Sequence, residues 1–386
     1  MIIESSLALR RPFRDHSFGL ARKLLRVNWL FVFCICLLAA VGYAALYSAS
    51  GGSTQPYANS QLWRFLIGLV MMLGIAMVDI RIIEKLSWPS YLLGVLLLLV
   101  VMKFGHTGLG AKRWIDLGPI EIQPSELMKL FLSMALASYF KRATPEQTGN
   151  LIYVFPALMA ILFPAGLILK EPNLGTAVIT GSIGCAVMLG AGVRWWWFAI
   201  VIAVIAVSAP MLYHHLHDYQ KARIDTFLNP GADPLGAGYN IIQSKIALGS
   251  GGWSGQGYLH GTQNQLNFLP EKQTDFVFTI IAEEFGFLGS IAVLGLLFSI
   301  MALALFTAIT CSHTYGRLLA LGIGMNFFLY CFVNLSMVMG LIPVGGVPLP
   351  LISYGGSALT AVMLGFGVLM SIHVHRDAEF TSPDDF

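Results

Sequence analysis

Residues 275–309 read DFVFTIIAEEFGFLGSIAVLGLLFSIMALALFTAI, a run of 35 residues without a proline. As one helix it would be about 52 Å long, against a hydrocarbon core of about 30 Å. Its first third must therefore project beyond the lipid tails. That places Glu283 and Glu284 at an outer rim and Asp275 above or at the mouth of a cavity, where a carboxylate can stay ionised. Gly286 and Gly289 are the positions for a bend.

The remainder of the chain repeats this apolar character. Of 386 residues, 56% are hydrophobic and 11% charged, and the mean hydropathy is +0.72, which leaves too little polar surface to cover a soluble globule. Apolar runs fall at about 28–47, 61–78, 88–104, 125–140, 152–169, 174–191, 196–213, 287–308, 317–341 and 355–373, each near the length that crosses a bilayer. The expected fold is an all-α polytopic membrane protein with ten transmembrane helices and both termini cytoplasmic. A basic tail (1–27) precedes a single membrane domain (28–373), and a short tail (374–386) follows it. The basic start leads into a full-length span, which reads as an anchor and not a cleaved leader. With the N-terminus inside, 13 Lys and Arg fall on inner segments and three, Lys112, Arg113 and Lys170, on short outer loops, as the positive-inside bias requires. The net charge of +3 is not gathered into a patch, so nothing points to nucleic acid. Cys34, Cys36, Cys185, Cys311 and Cys331 lie in apolar runs and read as small buried hydrophobes. Trp195, Trp196 and Trp197 read as an interfacial belt.

Two outer loops are long enough to carry chemistry. The first, 105–123, has the glycines, Pro119 and alternating Ile residues of a folded turn or short hairpin. The second, 214–274, is too long to lack structure of its own. Tyr239, Ile242, Ile246 and Gly249 fall at helical spacing with Gln243, Ser244 and Lys245 between them, the pattern of a short amphipathic helix at the interface. The run GSGGWSGQG (249–257) either lets backbone approach something closely or is a flexible turn. His214, His215 and His217 have no matching acid cluster and read as interfacial in preference to a metal site.

The segment 238–289 also collects Lys245, Glu271, Lys272, Asp275, Glu283 and Glu284, charges that should not sit idle between two spans. Thr274 or Asp275 could simply cap the following helix; an ionised Asp275 could equally take a proton from a hydroxyl nucleophile. Glu283 lies within about a quarter turn of the Asp275 face and is the expected partner to it. In 110–130, GAKRWIDLGPIEIQPSELMKL, Pro124 suits a first helical turn, and Glu126 and Lys129 share one face of a span, as a functional pair or a structural one. Lys112 and Arg113 could neutralise a phosphate or pyrophosphate, and Trp114 could stack on a sugar or anchor the loop. LKEPNLGTA (169–177) sets Lys170 and Glu171 at the outer end of a span, and IPVGGVPLPLISYGGSAL (342–359) breaks any helix at membrane depth, which is tolerated only inside protein or along a cavity.

The strings GAKRWIDLGPIEIQPSELMK, SKIALGSGGWSGQGYLHGTQNQLNFLPEKQTDFVFTIIAEEFG and GGVPLPLISYGGSALTAVMLGFGVLMSIHVHR resemble the SEDS family of bacterial cell-wall polymerases over nearly the whole chain. GTQNQLNFLPE and MSIHVHR resemble its elongation branch more than its division branch. The resemblance implies a peptidoglycan glycosyltransferase that polymerises lipid II at the outer face of the bacterial cytoplasmic (inner) membrane. It puts Asp275 at the family's essential aspartate and matches Arg113, Trp114, Glu126 and Lys129 to further positions important for activity. It implies a class B penicillin-binding transpeptidase and other elongation-complex membrane proteins as partners, alongside lipid II, the growing glycan strand and membrane lipid. Where the family commonly reads QPDLGT, this chain has Glu171, Pro172 and Asn173, and Lys170 with Glu171 could form a local substitute.

The residues support that chemistry. One carboxylate base, Asp275, suffices for an inverting displacement of undecaprenyl pyrophosphate. Lys112, Arg113, Lys129 and Lys245 are candidates to meet the developing charge, with Trp114, Glu126, Glu271 and Glu283 completing the substrate-binding set and Lys170, Glu171 and Gln243 at its margin. No metal-ligand cluster is present in the sequence; a divalent cation could assist the pyrophosphate. A lipid-precursor flippase or transporter, or a noncatalytic scaffold, is the alternative, but the charges crowd the outer ends of spans and not the midplane.

Overall fold

In a computed structural model of the chain, residues 19–108, 111–116, 121–171, 173–214, 221, 225–229, 231, 238–266 and 268–378 are described. The ten apolar runs each fall on a helix. They are α2 (Trp29–Ala49), α3 (Tyr57–Ala76), α5 (Ser87–Phe104), α6 (Pro124–Phe140), α8 (Leu151–Lys170), α9 (Leu174–Gly190), α10 (Trp195–His214), α13 (Val277–Thr310), α14 (Thr314–Val338) and α15 (Gly356–Val374). Seven of these, α2, α3, α5, α8, α13, α14 and α15, are long and apolar enough to cross a membrane, while Leu174–Gly190 and Trp195–Ser208 are shorter apolar stretches. The protein is a multi-pass membrane protein. Short helices fill the connections: α1 (Leu20–Arg26), α4 (Ile80–Lys85), α7 (Pro145–Thr148), α11 (Tyr239–Ser250) and α12 (Thr262–Gln265).

Helix contacts use small residues, since lipid offers no hydrophobic drive between spans and close approach must supply packing energy. Gly68 of α3 lies under Met363 of α15, and Gly367 of α15 lies against the Met72 backbone. Phe31 of α2, Phe327 of α14 and Phe366 of α15 meet edge-on or tilted at 5.0 and 5.4 Å between centroids.

The first outer loop forms a small antiparallel sheet, in the order β1 (His106–Gly108), β2 (Ala111–Asp116), β3 (Glu121–Ile122). Trp114 stands opposite His106 in its register, and Ile115 opposite Ile122. In the second loop, residues 239–249 form the expected helix, α11, but its inward face is Ile241, Ser244 and Ala247, whereas Ile246 and Gly249 of the expected apolar face are exposed; tertiary packing and not the local period chooses the face. His215 and His217, and the His214 side chain, lie outside the described residues.

The long segment from Asp275 departs from a single continuous helix. Residues 271–276 are turns, α13 starts at Val277, and its N-cap residue is Phe276 without a side-chain cap bond. Neither Thr274 nor Asp275 is the cap residue. Of the two candidate bend glycines, Gly286 is the one that breaks the helix, at φ 64° and ψ −158°. A break at this depth would strand backbone polar groups, and the glycine-rich run supplies their partners. Gln256 N–H donates to Glu283 O and Gly257 N–H to Glu284 O, each at 3.0 Å, while Phe287 N–H donates to Gly252 O at 2.9 Å and Leu288 N–H to Trp253 O at 3.2 Å. The stretch 249–257 is therefore a strap laid on the broken helix, with backbones so close that a Cβ on Gly255 would collide with the Glu284 carbonyl. Glu283 and Glu284, each 1% exposed, are enclosed by this packing.

Gly255→Ala, at φ +82° and without room for a Cβ, should lower stability by at least about 2 kcal/mol. Gly249→Ala, with nothing within 4 Å, should be neutral or stabilising by up to about 1 kcal/mol. Thermal unfolding of the two purified variants in detergent checks the pair, and equal losses would contradict the strap.

Candidate functional site

Asp275 occupies the last turn before α13 and is half-buried. Its backbone carbonyl accepts from Asn334 Nδ2 at 2.8 Å, and the same amide donates to Val347 O at 2.7 Å. Two residues earlier, Gln273 O accepts from Tyr354 N–H at 2.8 Å. The turn is thus pinned between α14 and the irregular stretch 339–355. Gly346, at φ +65°, lies beside the carboxylate: a Cβ placed there would sit 3.8 Å from Asp275 Oδ2, an ordinary contact, so it is the backbone conformation that favours glycine. Glu271, at φ +54°, shapes the turn: its carboxylate accepts from Thr274 Oγ1 at 3.2 Å and Gln273 Nε2 at 3.4 Å.

Glu126 and Lys129 sit one turn of α14 away. Tyr330 and Asn334 are four residues apart on that helix and share a face. Lys129 Nζ donates to Glu126 Oε1 at 2.7 Å and to Tyr330 OH, and Tyr330 OH donates to Glu126 Oε2. All three are enclosed, at 6%, 1% and 2% exposed for Glu126, Lys129 and Tyr330. Lys129 is a closed ion pair and not an open cation, which corrects its placement among the groups that face a phosphate. Tyr330 and Asn334 carry no sequence signal beyond a polar atom inside an apolar helix.

Arg113 extends from β2, and its Nε donates to the Glu171 carbonyl at 3.0 Å. Trp114 is half-buried in the same strand, and the Lys112 side chain lies outside the described residues. Glu171 closes α8 and is 3% exposed, whereas Lys170 beside it is exposed. Burial pushes the Glu171 carboxyl up to about 8, with Arg113 partly offsetting it. Asn173, which follows, caps α9 by accepting from Thr176 N–H at 3.4 Å. That places the α9 N-terminus against the 345–347 stretch, where a Cβ on Gly175 would lie 3.1 Å from Gly345 O. The segment Gly345–Val347 thus meets Gly175 at the start of α9, the Asn334 amide of α14 and the Asp275 carboxylate.

Other expected members lie elsewhere. Glu283 turns into the loop, accepting from Gln263 N–H at 2.8 Å, Asn264 N–H at 3.3 Å and Thr262 Oγ1 at 3.3 Å. Two of these donors are the free first-turn N–H groups of α12, which an anion satisfies, and the third is a hydroxyl of the same turn, so Glu283 clamps the loop instead of partnering Asp275. Glu284 is bonded to Ser48 Oγ and Asn264 Nδ2, and Lys272 holds Asn264 O and Oδ1 at 2.7 and 2.8 Å. Lys245 is exposed on α11, and its chain folds over Gly340 in the turn after α14. Gln243 is half-buried on α11.

With this geometry in place, comparison with known proteins is decisive. A model of the FtsW/RodA/SpoVE family, described as "Cell cycle protein", matches residues 28–378. The chain belongs to the FtsW/RodA/SpoVE family. Among its relatives in this family, peptidoglycan glycosyltransferase MrdB of Escherichia coli K12 is 42% identical over 89% of this chain and 92% of its own. The MrdB of Helicobacter pylori is 37% identical over 90% and 89%. Among solved structures, the fold is similar to a chain of a peptidoglycan synthase complex, with TM-score 0.78 and 30% identity over 92% of this chain and 99% of that one. It is also similar to the rod shape determining protein RodA of Thermus thermophilus, with TM-score 0.69 and 28% identity over 92% and 98%.

Lys129→Met should cost about 3–5 kcal/mol by leaving the Glu126 carboxylate buried and unpaired, while Glu126→Gln with Lys129→Met should recover most of that loss. A double-mutant cycle on thermal stability measures it. Glu171→Gln should be stabilising. The wild-type carboxyl holds its proton when folded up to about 8, but loses it near 4.3 when unfolded. The unfolded chain then binds fewer protons between those values, so wild-type stability falls with rising pH across that window and levels above it. The advantage of the variant in melting temperature should grow from pH 5 to pH 8 and then stay constant; a constant advantage throughout would count against the burial.

Proposed function

We propose that the protein polymerises lipid II into glycan strands at the outer face of the bacterial cytoplasmic membrane, with Asp275 as the base. The observation that carries this reading is the Asp275 turn: a half-buried carboxylate beside Gly346, on backbone pinned by Asn334 and Tyr354. The names of the MrdB relatives support the same chemistry.

In this mechanism the acceptor's sugar hydroxyl attacks the anomeric carbon of the donor. Its proton passes to an Asp275 carboxylate oxygen, and the bond from that carbon to the diphosphate breaks. The electron pair leaves with undecaprenyl pyrophosphate, and attack from the opposite side inverts the anomeric centre. Arg113 and Lys112 on β2 and Lys245 on α11 meet the charge on the leaving group. Lys129, Glu126 and Tyr330 act as a rigid wall behind the site, Trp114 supplies an aromatic face to a sugar, and Glu271 holds the turn. A divalent cation on the diphosphate would draw its ligands largely from substrate and water, since among the described residues no three His, Cys, Asp or Glu side chains converge. The partner in this reading is a class B penicillin-binding transpeptidase, in keeping with the similarity to a chain of a peptidoglycan synthase complex.

Asp275→Asn keeps the backbone carbonyl that Asn334 holds, so the protein should insert and melt as the wild type does while glycan synthesis from purified lipid II in liposomes falls at least about 100-fold. Polymer made at a comparable rate by the variant would discard the assignment, and lipid II translocated without polymer by the wild type would favour a flippase.

A further inference from the structure

One buried amide holds both the backbone of Asp275 and the backbone that the Asp275 carboxylate lies beside. Asn334, on α14, is 0% exposed, and its Nδ2 donates to Asp275 O at 2.8 Å and to Val347 O at 2.7 Å. Both N–H bonds of the amide are therefore spent, while its Oδ1 has no hydrogen-bond partner among the described residues. The amide cannot turn over, because a flip would set Oδ1 against two carbonyl oxygens. Burying a side-chain acceptor without a donor is unfavourable, so it is the pair of donors that suits this residue to its place.

A second contact fixes the same segment. Met337, almost one turn further along α14, accepts at Sδ from Gly345 N–H at 3.3 Å. Asn334 and Met337 are three residues apart and share a face, so α14 grips Gly345 and Val347 on either side of Gly346. It is Gly346 that lies beside Asp275 Oδ2. From the other direction the helix ladder gives Asp275 no such support, since α13 begins at Val277 and Phe276 is its N-cap residue. Tyr354 N–H ties Gln273 O at 2.8 Å, two residues earlier, whereas Asn334 ties Asp275 itself.

We propose that Asn334 is a positioning residue for the base: without touching substrate, its amide sets where the Asp275 carboxylate stands relative to the acceptor hydroxyl. This rests on the polymerase reading above. Proton transfer requires the carboxylate within hydrogen-bond reach of that hydroxyl, and a misplacement of about 1 Å costs on the order of 100-fold in rate. Removing or shifting the amide therefore slows the chemical step and leaves the affinity for lipid II little changed.

The experiment measures kcat and KM for glycan synthesis from radiolabelled lipid II by the full chain in liposomes. Asn334→Ala removes both donors, and Asn334→Gln keeps them one methylene further out; each is made in the wild-type and in the Asp275→Asn background. Thermal melts record that the proteins stay folded. Asn334→Ala should lower kcat about 100-fold with KM within about threefold of the wild type, and Asn334→Gln should lower kcat about tenfold. In the Asp275→Asn background no base remains to be positioned, so both should lower the residual rate by less than about threefold, because residues that act as a unit are not additive. A merely structural amide would instead lower both rates equally, by reducing the amount of competent protein. Equal losses in the two backgrounds, an unchanged kcat, or a change in KM alone would overturn the inference while leaving the polymerase reading in place. Loss of the cooperative melt in both variants would overturn it too, by making the amide a folding element. No polymer from the wild type at any lipid II concentration would overturn both readings.

Discussion

Backbone that leaves the helical path inside a bilayer must find partners within the protein, because lipid offers none. Asn334 is where that requirement is met most economically. Its amide, fully buried on α14, bridges Asp275 O and Val347 O and so joins the turn before α13 to the broken stretch after α14. The glycine strap meets the same requirement at the other break, lending its own N–H and C=O groups to the helix around Gly286. Both devices fix irregular backbone, and it is irregular backbone that presents the candidate base.

The charges divide into two kinds by what surrounds them. Glu126 with Lys129, Glu283 with the α12 amides, and Glu284 with Ser48 and Asn264 are enclosed and partnered. Such groups stiffen a site without touching a ligand, since their charge is already answered. Asp275 and Arg113 are only half-buried, and Lys170 and Lys245 are exposed. Glu171 belongs to neither kind, being enclosed with its carboxylate oxygens unbonded among the described residues. Its neighbour Asn173 shows why the local sequence matters: an amide caps α9 there and leaves the acid two positions earlier, at the end of α8.

Much of this was legible in the chain. Span positions follow from hydropathy alone, because the length of an apolar run is fixed by bilayer thickness, and every run read from the sequence is a helix in the structure. The helix near 239–249 was legible, though not which of its faces is buried, and the hairpin loop near 105–123 followed from its glycines and alternation. Asp275 stood out as a charge with no reason to be beside a span. Less legible were the roles of its neighbours. Glu283 was placed on the Asp275 face by counting 100° per residue, but that count assumes a helix beginning at Asp275, and the helix begins at Val277.

The sequence by itself determined that this is a polytopic membrane protein, where its spans lie and which few residues are candidates for chemistry, because hydropathy and local period are properties of the chain. Only the tertiary structure decided which charges answer one another. Pairings such as Lys129 with Tyr330, Asn334 with Asp275 and Arg113 with Glu171 join residues 201, 59 and 58 positions apart. Partners that distant share no local pattern, and they are set only when the helices pack.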